Sequence, residues 1–221
     1  MKVLEFIYKN ADRCWDLTLE HIWIVFFSVF IATLIAVPTG IIITKNDRIA
    51  GKVINIANIL MTVPSIALFG IMLPFLSIFG QGLGKVPAII ALVLYSQLPI
   101  IRNTYTGLKN VPSSLIEAGK GIGMGNWTRM KQIEIPMAIP VIIAGLRTAA
   151  VMNIGIAAIA AYIGAGGLGV FIQQGIARAY NEMILAGAVL VALLAIFVDL
   201  FMAFVEKILT PKGLLVSQEQ N

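Results

Sequence analysis

The fold class that this sequence predicts is an all-α integral membrane protein with about five transmembrane helices, and three observations predict it. Hydrophobic residues make up 59% of the 221-residue chain and charged residues 12%, against a charged share of ~25% in soluble domains. The mean hydropathy is +0.92. The apolar residues fall in runs long enough to cross a bilayer, which takes ~20 residues each. The basic residues sit in short stretches between those runs rather than on one face, so the net charge of +5 points to membrane orientation and not to nucleic acid. Cys14, the single cysteine, excludes an internal disulfide and lacks the small-residue, apolar lead-in of a lipidation or secretory cleavage site.

Residues 1–21 mix Lys2, Glu5, Lys9, Asp12, Arg13, Asp16 and Glu20 with Val3, Leu4, Phe6, Ile7, Trp15 and Leu17. That pattern predicts an amphipathic interfacial segment, with Trp15 and Trp23 suited to the headgroup zone. The transmembrane domain is expected over 22–209. Its first span, 22–44, carries no charge between His21 and Lys45. The second is expected over 54–79, interrupted by Pro64 and Pro74, and the third over 86–106, interrupted by Pro99. Prolines inside spans are tolerated where neighbours satisfy the freed carbonyls, so these segments should pack against protein. The fourth and fifth spans, 137–162 and 183–205, are rich in alanine and glycine, which let helices approach closely. A tail follows over 210–221.

An odd number of spans puts the two ends of the chain on opposite sides. Lys45, Arg48 and Lys52 fall in one loop, Lys109, Lys120, Arg129 and Lys131 in another on the same side, and Lys207 and Lys212 follow the last span. The opposite loops carry Lys85 and Arg178, and the N-terminal Lys2, Lys9 and Arg13 are offset by acids. The positive-inside rule then makes the segment at about 109–136 and the C-terminus cytoplasmic, and the N-terminus external.

That cytoplasmic segment is a polar, glycine-rich island. Ser114 and Glu117 have the spacing of a capping box, which predicts a short helix there. Gly119, Gly121, Gly123 and Gly125 remove side chains, so the chain can turn sharply or another surface can approach. Asn126 is placed to cap a second short helix, and Pro136 to open the fourth span. A connecting loop with two caps is the plainer reading of the same residues.

The spaced set Glu117, Ala118, Gly119, Gly123, Ile133 and Pro136 resembles the EAA loop of binding-protein-dependent ABC importers. Gly119 stands where that family usually has a second alanine, and Ile135 where it has leucine; both keep small or aliphatic character. Further stretches, 95–107, 119–124, 144–149 and 210–214, resemble the permeases for glycine betaine, carnitine and choline. The resemblance implies a type I ABC importer (MetI-like) permease fold that works with a second permease subunit, identical or paralogous. It also implies two cytoplasmic ATPase subunits, an extracellular solute-binding protein and a lipid membrane. It further implies that Glu117, Ala118, Gly119 and Gly123 dock into the ATPase. The sequence contains no Gly-x-x-x-x-Gly-Lys-Ser/Thr phosphate loop, so ATP and magnesium are expected in the partner ATPase and no cofactor in this chain. An importer of another small solute, such as an amino acid, is the alternative within this reading. A secondary transporter would want inverted repeats or intramembrane acids, and an intramembrane protease would want motifs that are absent.

Four further groups of residues invite a role. Gly164, Gly166, Gly167 and Gly169 spell a dinucleotide fingerprint, but at the outer end of a span, without a βαβ unit, they read as a tight turn. The resemblance places that turn near the outer gate and the binding protein. Arg147 and Asp199 are the charges this reading sets inside spans, at similar depth, and they could pair. Phe69, Tyr95, Tyr105 and Tyr162, with Phe75 and Phe79, could line a path for a quaternary ammonium through cation–π contacts, or serve as packing. His21, alone and without acidic partners in a span, predicts no metal site.

Overall fold

The computed structural model describes residues 2–210. No strand occurs among them. From residue 211 on, the expected tail and the final part of the 210–214 stretch lie outside the described residues.

A short helix, α1 (Lys2–Lys9), is followed at Asn10 by α2 (Ala11–Ile43). The Asn10 side-chain amide donates to the Phe6 carbonyl at 2.8 Å and closes the end of α1. The interfacial segment expected over 1–21 is therefore divided differently: the break falls at Asn10, and residues 11–21 belong to the first spanning helix. At ~1.5 Å per residue, α2's 33 residues run to about 50 Å, so its charged first turns project beyond a hydrocarbon layer of ~30 Å. Phe6 anchors α1, edge-on to Phe171 and Tyr180 at centroid distances of 5.7 and 5.6 Å.

After Asn46, whose side chain accepts from Arg48 N and Ile49 N, come α3 (Asp47–Thr62) and α4 (Ser65–Ser77). They meet at 96°. The expected single span over 54–79 is thus an elbow. Val63 before Pro64 is extended, with φ −68° and ψ 126°, because the proline ring excludes the helical conformation from the preceding residue. The hydroxyl of Tyr95 donates to the Val63 carbonyl at 2.6 Å. Pro74, in contrast, lies within α4.

The centre of the bundle is α5 (Lys85–Lys109), packed on α2, α3, α4 and α8 (Ile135–Ala160). Small residues set the α5–α8 distance. A Cβ on Gly145 would stand 2.7 Å from the Asn103 Cβ, and one on Gly107 3.0 Å from the Val141 Cβ. Before α8 come α6 (Ser113–Gly121), α7 (Asn126–Arg129) and one π turn (Met130–Glu134). After it a 3₁₀ turn (Ala161–Ile163) leads to α9 (Gly169–Ala177) and α10 (Asn181–Leu209). Four helical stretches, Ala11–Ile43, Lys85–Lys109, Asn126–Ile163 and Asn181–Leu209, are long and apolar enough to cross a membrane, and the bent α3–α4 pair brings the number to five. The core gathers Ile24, Leu92, Ile154, Leu168 and Phe171 where α2, α5, α8 and α9 meet.

Candidate functional site

The island between α5 and α8 forms a folded hairpin. Its two expected caps are both replaced. Pro112, not Ser114, occupies the N-cap of α6, and no side chain caps that helix; a proline there has no N–H to satisfy and fixes φ for the turn. Gly125 occupies the N-cap of α7, with Asn126 already helical.

At the other end of α6, Gly123 adopts φ +80°. Its N–H donates to the Lys120 carbonyl and the Met124 N–H to the Gly119 carbonyl. This is a Schellman cap, in which glycine is favoured because a side chain would strain the left-handed conformation. Gly119 is buried against Ile133, whose Cδ1 would lie 2.9 Å from an added Cβ. Ile133 itself rises from the π turn, and Arg129 donates to Glu134 at 2.7 Å across that turn. Two of the expected loop residues, Gly119 and Ile133, are therefore brought together. Glu117 and Ala118 are exposed, as are Ile122 (75%) and Trp127 (74%) at the hairpin tip. Pro136 follows the π turn within the first turn of α8. Its missing N–H fits a place where the regular hydrogen-bond ladder is interrupted. The helical path from Asn126 to Ile163 nevertheless stays continuous.

At the opposite end of the bundle, Gly164, Gly166 and Gly167 have φ of +78°, +88° and +73°. The turn they make is clamped by this chain's own first spanning helix. Glu20 accepts from Gly167 N at 2.9 Å and bridges Lys85 at 2.7 Å. His21 Nδ1 accepts from Leu168 N at 3.2 Å, while His21 Nε2 lies 3.1 Å from the Ile154 carbonyl. Gly169 abuts α8, and a Cβ there would overlap the Ala158 carbonyl oxygen. What approaches the glycines most closely is thus α2 and α8.

Arg147 on α8 and Asp199 on α10 lie together, with Nε and Nη2 donating to the two carboxylate oxygens at 2.5 and 2.7 Å. Glu206 adds a third charge at 3.7 Å. The four aromatic residues do not share one surface. Phe69 and Tyr95 are buried in the main core, Tyr105 donates to Asp47 at the start of α3, and Tyr162 is exposed near the glycine turn. Phe75 and Phe79 are exposed at and beyond the end of α4. No cluster of three or more metal-ligating side chains occurs among the described residues.

Residues 14–210 match the family described as "Binding-protein-dependent transport system inner membrane component". The chain belongs to that family. It is 48% identical to the "Osmoprotectant import permease protein OsmW" of Salmonella typhimurium over 214 residues, covering 97% of this chain and 100% of that one. It is 45% identical to the "Glycine betaine/carnitine/choline transport system permease protein OpuCB" of Bacillus subtilis over 213 residues, 96% of each. Among solved structures it resembles the permease fold of the inward-facing MetNI methionine ABC transporter, with a TM-score of 0.80, 24% identity and coverage of 94% and 99%. The membrane components of this family are transporter subunits that cross the membrane, and the all-helical bundle is their fold.

Two features of the permease escape a reading of the sequence, and a third is legible in it. The Glu20–His21 clamp joins groups 147 residues apart, and paired glycines signal a close approach without naming what approaches. The buried set Ser96 and Asn153, bonded at 2.8 Å, carries no motif. Arg102 also lies inside a spanning helix, α5, so Arg147 and Asp199 are not alone there; its charge stands within the expected span over 86–106, seven residues before Lys109.

Proposed function

We propose that this chain is the membrane subunit of an ATP-driven importer of quaternary-ammonium compatible solutes such as glycine betaine, carnitine and choline. Two copies, or this chain and a paralogue, enclose the path. Two ATPase subunits bind the α6–α7 hairpin from the cytoplasm, hold ATP and magnesium, and supply the energy. A solute-binding protein delivers substrate at the glycine-turn end. The N-terminus is external and the C-terminus cytoplasmic, in the orientation that places most loop lysines and arginines inside.

The observation that carries this reading is the exposed hairpin built on a glycine-capped helix and running without interruption into α8. A partner that grips such a hairpin moves a spanning helix as a rigid element and so can bias two packings of the bundle, which is what alternating access requires. The solute class is supported by the names of the relatives with 45–48% identity.

The test is uptake by the assembled complex, reconstituted with its ATPases and binding protein, over a panel of betaines, carnitine, choline and amino acids. ATP-dependent uptake of the quaternary ammonium compounds is expected, and uptake of amino acids alone would make the solute class wrong. A Gly123→Trp variant is expected to insert normally and lose uptake by about tenfold or more, since it strains the cap and blocks the docking face. Normal uptake by that variant would end the docking role.

A further inference from the structure

Arg102 stands apart from the other charge centres of the spanning helices. Arg147 and Asp199 neutralise each other, whereas no acid among the described residues lies within bridging distance of Arg102. It is exposed, although α5 is the most deeply packed of the spanning helices. A charge at such a position is costly in hydrocarbon unless it is paired, reaches the interface or faces water.

The direction it faces follows from its neighbours. On α5, Pro99, Asn103 and Gly107 meet α8, Ile101 and Thr104 meet Gly40 of α2, and Tyr105 meets Asp47 of α3. With about 100° per residue, Arg102 and Thr106 fall in the gap between α3 and α8, where both are exposed. On α8, Thr148 is exposed on the flank next to the Gly145 contact, away from α2. On α3, Ala50 and Ala57 are buried, and the exposed Asn55, Asn58 and Thr62 fall, at about 100° per residue, on the side from which Asp47 meets Tyr105 of α5. Three neighbouring helices thus turn polar side chains to one open side. The exposed face of α10 is of the opposite character, being lined by Leu185, Val189, Leu193, Phe197, Leu200 and Phe204. Lipid suits the second face and water the first. Above the polar side stands the α3–α4 elbow, fixed by Tyr95, which lies about two turns from Arg102 along α5.

We propose that Arg102 lines a water-filled passage below the elbow and takes the carboxylate of the solute, so that this chain favours carboxylate-bearing betaines over choline. A guanidinium suits a carboxylate with two parallel hydrogen bonds, while the cation of choline gains nothing from it and is repelled. An open, solvated site keeps the contact weak enough for release. This inference rests on the solute class proposed above and adds to it a residue and a direction of discrimination.

The experiment measures ATP-dependent uptake of glycine betaine and of choline by the complete importer in proteoliposomes, with Arg102 as it stands, as Arg102→Gln and as Arg102→Lys. Loss of the charge is expected to lower betaine uptake about tenfold relative to choline uptake, the scale of one charge-assisted contact, and Arg102→Lys to retain most of the preference. A ratio unchanged in Arg102→Gln, or both solutes falling together, overturns the proposal. An Arg102→Cys variant in a Cys14→Ser background reports the surroundings directly. Labelling by a charged, membrane-impermeant thiol reagent is expected, and an unreactive thiol in folded, inserted protein overturns the passage. A wild-type importer that carries none of these solutes overturns the solute class and this proposal with it. One that carries them with an unchanged ratio in Arg102→Gln overturns the proposal alone.

Discussion

His21 is completely buried, and both of its ring nitrogens are engaged. A carbonyl can only accept, so the nitrogen facing Ile154 carries the proton, and the nitrogen facing the Leu168 N–H is bare. The ring is therefore neutral and fixed in one tautomer, and it ties α2 to α8 and to the glycine turn. Replacing it with leucine fills similar space but leaves the buried Leu168 N–H without a partner and removes the second bond at the Ile154 carbonyl, which stays engaged within α8. With one unsatisfied buried group, His21→Leu is expected to cost about 1–3 kcal/mol. Thermal unfolding of the purified complex measures this, and an unchanged midpoint would mean that water or the backbone replaces both bonds. The role of this histidine could not be read from the sequence, because its partners lie far along the chain. Gly166 and Gly167 were legible as turn-formers, and their positive φ values agree. That a glutamate and a histidine of α2 fill the space beside them depends on the register between helices, which single-residue patterns do not encode.

At the scale of elements, hydrophobic runs located the spans and proline located the break, but proline alone did not say which break. Pro64 follows an extended Val63 and ends a helix, whereas Pro74 sits inside α4. The difference lies in what receives the chain. At Val63 the Tyr95 hydroxyl is waiting to satisfy the carbonyl of the opened backbone, and no feature of the sequence near Pro64 announces a tyrosine on another helix. The same reasoning covers the hairpin. Ser114 and Asn126 have the right identities for caps, but Pro112 and Gly125 take those places one or two residues earlier. The helices themselves were legible while their first residues were not. Tyr95→Phe isolates the elbow's hydrogen bond, keeping the ring and its packing. Loss of one such bond is expected to destabilise the elbow by about 1–2 kcal/mol. Amide exchange is expected to rise around residues 60–66 and to stay unchanged in α8. Equal protection in both proteins would show that packing alone holds the bend.

For the whole molecule, the hairpin and the fourth span act as one body. From Asn126 to Ile163 the helix is unbroken, about 55 Å by helical rise. At one end it carries Trp127 and at the middle Arg147, which grips α10 through Asp199, and Asn153, which grips α5 through Ser96. Its far end leads to the glycine turn. A displacement at the tip is therefore carried past the contacts of this helix with α5, α10 and α2 without a flexible joint. The π turn at Met130–Glu134 sets the angular phase between tip and span, since it holds one residue more per turn than the α-helix around it. Inserting one alanine between Arg129 and Met130, on the tip side of a π turn that already holds its extra residue, would rotate the hairpin by about 100° relative to α8. The buried fit of Gly119 against Ile133 would be lost and the exposed tip turned away from the direction in which the proposed ATPase contact lies. Uptake by the assembled importer is expected to fall to background while the amount of inserted protein, measured in the same membranes, stays close to normal. Uptake at the normal rate would mean that the phase of the hairpin does not matter, and that coupling reaches the bundle by another route than α8.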